Sequence, residues 1–165
     1  MRVFLQTPRL ILRDFEPADV DHLVSLDSDP AVMRYLTGGK PTPRETIEQN
    51  LHTPGRWAAV THEGLFLGWF SLRPTGRDEA ELGYRLVSRC WGQGYATEGA
   101  RTLVHKGLAD GLRRIFAQTM AVNLASRRVM EKAGLSYVRT FHLDWDDPID
   151  GFELGEVEYE VLSRS

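Results

Sequence analysis

The residues most suited to chemistry form a glycine-rich run between a predicted strand, Glu79–Leu86, and a predicted helix, Ala96–Ala109. The run reads Arg89-Cys90-Trp91-Gly92-Gln93-Gly94-Tyr95-Ala96. Gly92 and Gly94 can adopt backbone conformations that other residues avoid, so the main chain can bend tightly and approach a ligand closely. The first N–H groups of a helix have no internal acceptor, and the helix dipole adds partial positive charge there. The run therefore predicts a phosphate or pyrophosphate site at the helix N-terminus.

The composition of this loop excludes two common phosphate-binding classes. It lacks the Lys-Ser/Thr ending that nucleoside triphosphatases use for the terminal phosphate and for magnesium. Thr97 stands where a dinucleotide-binding fingerprint would have its third glycine, and no early βαβ unit precedes the loop. ATP, GTP and dinucleotides are therefore disfavoured as ligands.

The remaining pattern, Arg89-x-x-Gly92-x-Gly94 followed by a helix, resembles the acyl-coenzyme A pyrophosphate loop of the GCN5-related N-acetyltransferases (GNATs). Further blocks resemble the RimJ/RimL-like branch of that family. They are Thr7-Pro8-Arg9-Leu10-Ile11-Leu12-Arg13, Glu81-Leu82-Gly83-Tyr84, Asn123-x-x-Ser126 and Glu131-Lys132-Ala133-Gly134-Leu135. These blocks occur in the family's order and cover most of the chain.

The resemblance implies an α/β fold in which a mixed, mostly antiparallel sheet splays at its middle and carries helices on both faces. It implies that acetyl-CoA, the cosubstrate, binds in the splay and donates its acetyl group directly to a primary amine within a ternary complex. By the same resemblance, the coenzyme-binding residues are Arg89, Gly92, Gln93, Gly94, Tyr95, Ala96 and Asn123.

Glu81 is the candidate base for this reaction. An amine attacks a thioester only as the free base, so a substrate ammonium must first lose a proton. Glu81 matches the family's acidic position, and strand alternation places it on one face with Glu79, Gly83 and Arg85. The alternative interpretation is a solvated charge on a half-exposed strand.

Ser126 is the candidate group beside the leaving thiolate, and Asn123 is the candidate contact for the pantetheine arm. Both roles follow from the resemblance. Both residues also suit the start of the predicted helix Leu124–Ala133, where Asn123 is a favourable N-cap. The role of Ser126 is left open: it either donates a proton to the leaving thiolate or only orients the sulfur.

Composition indicates one domain spanning residues 1–165. The chain is 42% hydrophobic, enough for a single core, and no stretch approaches the length needed to cross a bilayer. Its single cysteine, Cys90, agrees with a cytoplasmic location, and a net charge of −3 gives no reason to expect nucleic-acid binding. The five histidines show no metal-ligand spacing with Cys90, so no metal site is expected.

Periodicity and turn chemistry predict the remaining elements. Thr42-Pro43-Arg44-Glu45 resembles a capping box with Pro43 as the first helical residue, and Arg73–Asp78 is predicted to be a turn. Gly134 is predicted to end the helix before it.

The amine acceptor is left open between a protein N-terminal α-amine and a small-molecule amine. We expect its walls to include two loops, Thr37–Pro41 and Asp144–Gly151. The resemblance also admits a homodimer. The alternative to an acetyltransferase is a function of a different class, that of a noncatalytic acyl-CoA-sensing or partner-binding domain.

Overall fold

The computed structural model describes residues 2–164 and contains one eight-stranded sheet in the order β1-β2-β3-β4-β5-β6-β8-β7. The strands are β1 Val3–Gln6, β2 Leu10–Arg13, β3 Arg56–Thr61, β4 Phe66–Gly76, β5 Glu79–Leu86, β6 Arg114–Met120, β7 Ser136–Phe141 and β8 Glu156–Leu162. Within these residues, we find no helix with the length and apolar character to span a membrane. No cluster of His, Cys, Asp and Glu suited to a metal ion occurs in the same part of the chain.

The sheet splays between β5 and β6. These strands run parallel and pair over only three residues of each, Glu79–Glu81 of β5 with residues 114–116 of β6. From Leu82 onward, β5 stays paired with β4 on one side while its other edge lacks a strand partner. An open edge of this kind exposes backbone donors and acceptors within the sheet.

Five helices cover the two faces of the sheet. They are α1 Asp19–Asp27, α2 Pro30–Thr37, α3 Arg44–Gln49, α4 Tyr95–Ala109 and α5 Leu124–Lys132. Helices α1 and α3 pack with β3 and β4 through a core that includes Leu23, Ile47 and Ala58. Helices α4 and α5 pack on the opposite face through a larger core that includes Leu103 and Met130.

Helix α4 approaches the sheet closely because Gly99 has no side chain. A Cβ atom at Gly99 would lie 2.3 Å from Cζ of Phe70, a fully buried residue of β4. Leu103 and Val104 continue the same buried face of the helix. This packing fixes the start of α4, and therefore the glycine loop before it, against the middle of the sheet.

Helix α5 ends as predicted from Gly134. This glycine has φ +104°, and its N–H donates to the carbonyl of Glu131 while the N–H of Leu135 donates to that of Met130. The two bonds form a Schellman motif, which satisfies carbonyls at the helix end.

Two local predictions were wrong. Thr42 does not cap α3, because Pro43 is extended (φ −61°, ψ 143°) and is itself the N-cap, without a side-chain hydrogen bond. The predicted turn Arg73–Asp78 is mostly strand, since β4 continues to Gly76. Pro74 is tolerated there because β3 pairs with β4 only as far as Ser71, so the proline lies where β4 has one neighbour.

Candidate active site

The glycine loop presents unpaired backbone donors at the start of α4. Gly92 has φ +76° and Gly94, the N-cap, has φ +83°. No side chain caps this helix, and within residues 2–164 the N–H groups from Gly92 to Ala96 find no acceptor. A Cβ atom at Gly92 would meet nothing within 4 Å, so the loop is open on its outer side. Such a row of free donors at a helix N-terminus is suited to a phosphate or pyrophosphate, and the site stays a prediction.

A polar network holds the loop against the beginning of β2. Glu98, in the first turns of α4, accepts from the Arg9 Nε at 2.7 Å, from the Arg9 backbone N–H at 2.9 Å and from the Thr7 hydroxyl. Arg9 also donates to the Gln93 carbonyl at 2.9 Å and lies 4.2 Å from the Tyr95 ring centroid. Burial acts to raise the pKa of Glu98, but these hydrogen bonds outweigh it and lower that pKa. Arg9 thus offsets a carboxylate that would otherwise repel phosphate at this helix end.

The structure gives the other predicted loop residues distinct positions. Arg89 is exposed, and its guanidinium donates to the Phe66 carbonyl at 3.2 Å, so it ties the loop entrance to β4. The Gln93 side chain donates to the Arg89 carbonyl at 3.3 Å, and Ala96 lies in the first turn of α4. For Gln93 and Ala96, the free donor is therefore the backbone N–H and not the side chain.

Asn123 and Ser126 lie together at the start of α5. The Asn123 side chain accepts from the Ser126 N–H at 3.2 Å, which makes Asn123 the N-cap, as its residue type predicted. The Ser126 hydroxyl lies 2.9 Å from the Tyr84 hydroxyl, which also lies 3.0 Å from the Ser126 carbonyl oxygen. Tyr84 belongs to β5, so this contact links α5 to the splayed strand.

Tyr84 determines what Ser126 can do. Burial raises the pKa of Tyr84 to about 12, so its phenol keeps its proton at neutral pH. If Tyr84 donates to the Ser126 carbonyl, the Ser126 hydroxyl donates to Tyr84 and has no proton left for a ligand. If Tyr84 donates to the Ser126 Oγ, the serine proton is free. Sequence reasoning did not single out this tyrosine, although it lies within the block Glu81–Tyr84.

Glu81 lies on the face of β5 opposite Tyr84, and its carboxylate is hydrogen-bonded to Arg73. Arg73 is directly opposite Glu81 in the β4–β5 register. The side chain of Glu81 is 26% exposed, so an amine entering this face can reach it. Only Oε1 of Glu81 is bonded to Arg73, so the other carboxylate oxygen is not held by this ion pair.

Glu156, at the start of β8, is a carboxylate that sequence reasoning missed. It lies opposite Met120 of β6, and strand alternation places both on the same face as Glu81. Its Oε2 is buried and has no hydrogen-bond partner among the residues described, and burial raises the pKa of this carboxyl group. The alternating acidic run Glu156, Glu158 and Glu160 was the available signal.

The neighbouring carboxylates of β8 are paired, unlike Glu156. Arg114 donates to Glu158 at 2.9 Å and to Glu160 at 2.7 Å, and Gln118 donates to Glu158 at 2.7 Å. Glu158 therefore contributes to a fixed network, whereas Oε2 of Glu156 has no partner among the described residues.

The two loops predicted to wall the acceptor site contact each other. A Cβ atom at Gly38 would lie 2.8 Å from Cγ2 of Ile149, and Lys40 is ion-paired with Asp147. Gly151 packs close to Val122, just before α5. The loops thus meet beside the splay.

Comparisons with known proteins agree with this geometry. A family model described as "Acetyltransferase (GNAT) domain" matches residues 9–136. The chain is 37% identical to the FsC-acetyl coenzyme A-N(2)-transacetylase of Aspergillus fumigatus, over 95% of this chain and 75% of that protein. It superposes on an acetyltransferase (GNAT family) from Bacillus anthracis with a TM-score of 0.82 at 25% identity, covering 98% of this chain and 99% of the other.

The fold also matches a protein acetyltransferase. The ribosomal L7/L12 α-N-protein acetyltransferase RimL, solved in complex with coenzyme A, superposes with a TM-score of 0.80. The two chains are 17% identical, and 98% of each is covered. At this identity the likeness concerns the fold alone.

Proposed function

The chain belongs to the acetyltransferase (GNAT) family and is an acetyl-CoA-dependent N-acetyltransferase, and we propose that it acetylates a primary amine by direct attack in a ternary complex. The observation that carries this proposal is the uncapped start of α4 beside the splay between β5 and β6. Free N–H groups at Gly92 to Ala96 would hold the pyrophosphate of acetyl-CoA, with Arg9 offsetting the charge of Glu98. The bound coenzyme supplies the acetyl thioester.

The splay and helix α5 would position the reacting end. The unpaired edge of β5 from Leu82 onward offers backbone N–H groups for polarising a carbonyl. Asn123 would contact the pantetheine arm, and Ser126, held by Tyr84, would lie near the sulfur. Transfer then needs no covalent enzyme intermediate, because orientation of two bound reactants supplies much of the rate.

The acceptor amine would enter from the face that carries Glu81. Glu81 is the first candidate base, and Glu156 is the second, because burial raises its pKa toward neutral pH, where a general base is most effective. The two acceptor classes remain those predicted from the sequence. The relative's printed name, with transfer to N(2), supports a small-molecule amine, and the RimL fold match is consistent with a protein N-terminus.

Location and assembly are part of the same proposal. Cys90 is buried and free of disulfides, which supports a reducing, cytoplasmic compartment. The RimJ/RimL-like branch and a homodimer stay predictions.

The test of this function is acceptor-dependent release of free coenzyme A from acetyl-CoA, measured with a panel of small amines and N-terminal peptides. We expect Glu81→Gln to lower kcat by about 100-fold, within the range of general-base catalysis, while acetyl-CoA affinity changes little. Glu63→Gln, in the exposed β3–β4 turn, removes the same charge and serves as the control.

Undiminished turnover in Glu81→Gln would transfer the base assignment to Glu156. Binding of acetyl-CoA without thiol release for any acceptor would favour the noncatalytic sensor instead.

A further inference from the structure

A guanidinium without a hydrogen-bond acceptor lies on the face of the sheet that carries Glu81. The Nε of Arg56, the first residue of β3, is buried and unpartnered. No hydrogen bond or ion pair joins any nitrogen of this guanidinium to residues 2–164. Buried polar groups in folded proteins are nearly always satisfied, so this arrangement requires an explanation.

Aromatic rings hold the Arg56 side chain in place without satisfying it. Its Cζ lies 4.8 Å from the ring centroid of Phe15 and 5.0 Å from that of Trp69. Ring faces attract a cation but offer no in-plane acceptor for its N–H groups. Burial, reinforced by the nearby charge of Arg85, lowers the pKa of Arg56. The side chain is therefore preorganised while its donors stay unused.

The local charge balance favours one anion. Arg85 lies on the same tryptophan, with its Cζ 5.2 Å from the Trp69 centroid, and donates to Asp27 at 3.0 Å. Asp27 is ion-paired with Arg85 and is not bonded to Arg56. Arg56, Arg85 and Asp27 together carry one net positive charge. A second carboxylate, which a guanidinium can bind through two parallel hydrogen bonds, would balance this charge.

The strand register places Arg56 within reach of the proposed acceptor site. Arg56 lies opposite Ser71 of β4, which lies opposite Gly83 of β5, and Gly83 is two residues from Glu81. With about 4.8 Å between strands and about 3.3 Å per residue, the Cα atoms of Arg56 and Glu81 are roughly 12 Å apart. Their side chains project from the same face, so one small molecule can span them.

We propose that Arg56 binds a carboxylate of the acceptor, so that the substrate is an amino compound with a carboxylate several bonds from its reactive amine. This inference rests on the proposed function, because it takes Glu81 to mark the position of the amine. The site is separate from the phosphate site, since the start of α4 packs on the opposite face of the sheet.

The experiment compares each of three amino acids, β-alanine, γ-aminobutyrate and ε-aminocaproate, with its own carboxamide. We expect at least one acid to show a kcat/KM about 10- to 100-fold above its carboxamide, the effect of charge-assisted hydrogen bonds. In Arg56→Gln this preference should fall to within about twofold. Arg77→Gln, in the exposed β4–β5 turn, removes the same charge and should keep the preference.

A binding measurement separates this proposal from the proposed function. The rise in melting temperature of the coenzyme A complex on adding each acid or its carboxamide measures binding at the carboxylate site without turnover. If an acid protects more than its amide, and this difference is lost in Arg56→Gln only, the carboxylate site is supported even when no thiol is released. The missing thiol release would then count against the proposed function alone. Equal protection by acid and amide, or a preference that survives in Arg56→Gln, would overturn the carboxylate site.

The stability of Arg56→Gln distinguishes a binding role from a structural one. Because the Nε of wild-type Arg56 is buried without an acceptor, Arg56→Gln should leave the melting temperature unchanged or raise it. A large decrease, together with an unchanged acid-to-amide ratio, would assign Arg56 a structural role and contradict the proposal.

Discussion

The carboxylates around the splay differ in their partners, and these partners set what each can do. Glu81 is ion-paired with Arg73, and the hydrogen bonds of Glu98 with Thr7 and Arg9 lower the pKa of Glu98. Glu156 has a buried oxygen without a partner. Burial without a compensating charge favours the protonated acid, which makes Glu156 the carboxyl group here whose charge is most sensitive to a ligand amine.

Replacing Glu156 with Gln should reveal this protonation in the pH dependence of stability. Burial raises the pKa of Glu156 in the native protein, so the native state keeps a proton that the unfolded chain has lost. Wild-type stability therefore falls as pH rises from the unfolded pKa, about 4.3, through the native one. We expect Glu156→Gln to match wild type near pH 4 and to be more stable than wild type at pH 8. Urea unfolding across this range measures the difference.

Glu153→Gln, in an exposed turn nearby, should show no such pH-dependent gain. A Glu156→Gln protein that is less stable than wild type at pH 8 would mean that this carboxylate has a stabilising partner.

At the residue scale, the sequence indicated which residues are candidates for the site but not which side chains contact one another. Resemblance identified Glu81, Asn123 and Ser126. It did not reveal that Tyr84 reaches Ser126, because that contact depends on how α5 packs over β5. The bonds of Glu98 to residues about ninety positions earlier likewise exist only once β2 lies beside α4.

At the scale of elements, helix α4 carries the site because it can lie unusually close to the sheet. Gly99 allows this approach, since any Cβ there would overlap the ring of Phe70. Phe70 is fully buried in the core of this face of the sheet. The position of the glycine loop is therefore tied to the packing in the middle of the helix.

Gly99→Ala should destabilise the protein although alanine is the better helix former. Overpacking costs about 1–3 kcal/mol and the gain in helix propensity is about 1 kcal/mol, so we expect a net loss of up to about 2 kcal/mol in denaturant unfolding. Gly76→Ala is the matched control, because a Cβ there would be 3.9 Å from its nearest neighbour. Equal stability of the two variants would show that α4 can shift away from the sheet without cost.

Periodicity and turn chemistry predicted several elements, including β5 and the C-terminal cap of α5. The errors at Thr42 and Pro74 share a cause. In each case a local preference was interpreted without knowing the tertiary neighbours, and at Pro74 it was the absence of a second neighbouring strand that allowed a proline within β4. Neighbouring strands cannot be deduced from a window of a few residues.

At the scale of the whole molecule, the splay joins two chemically different faces. The face covered by α4 and α5 carries the proposed phosphate-binding loop with Asn123 and Ser126, and the opposite face carries Arg56, Glu81 and Glu156. The gap between β5 and β6 is where reactants bound from the two faces would meet. This arrangement supports direct transfer, because each substrate would have its own binding surface.

The measurement that tests this account most directly is calorimetric titration of acetyl-CoA into wild type and Gly94→Glu. Gly94 has φ +83°, so glutamate would be strained there, and its charge would oppose a phosphate beside the start of α4. Gly64→Glu is the control, at a glycine of φ +90° in the β3–β4 turn. We predict saturable binding to wild type and Gly64→Glu and none to Gly94→Glu. Undiminished binding to folded Gly94→Glu would contradict the assignment of the glycine loop as the coenzyme site.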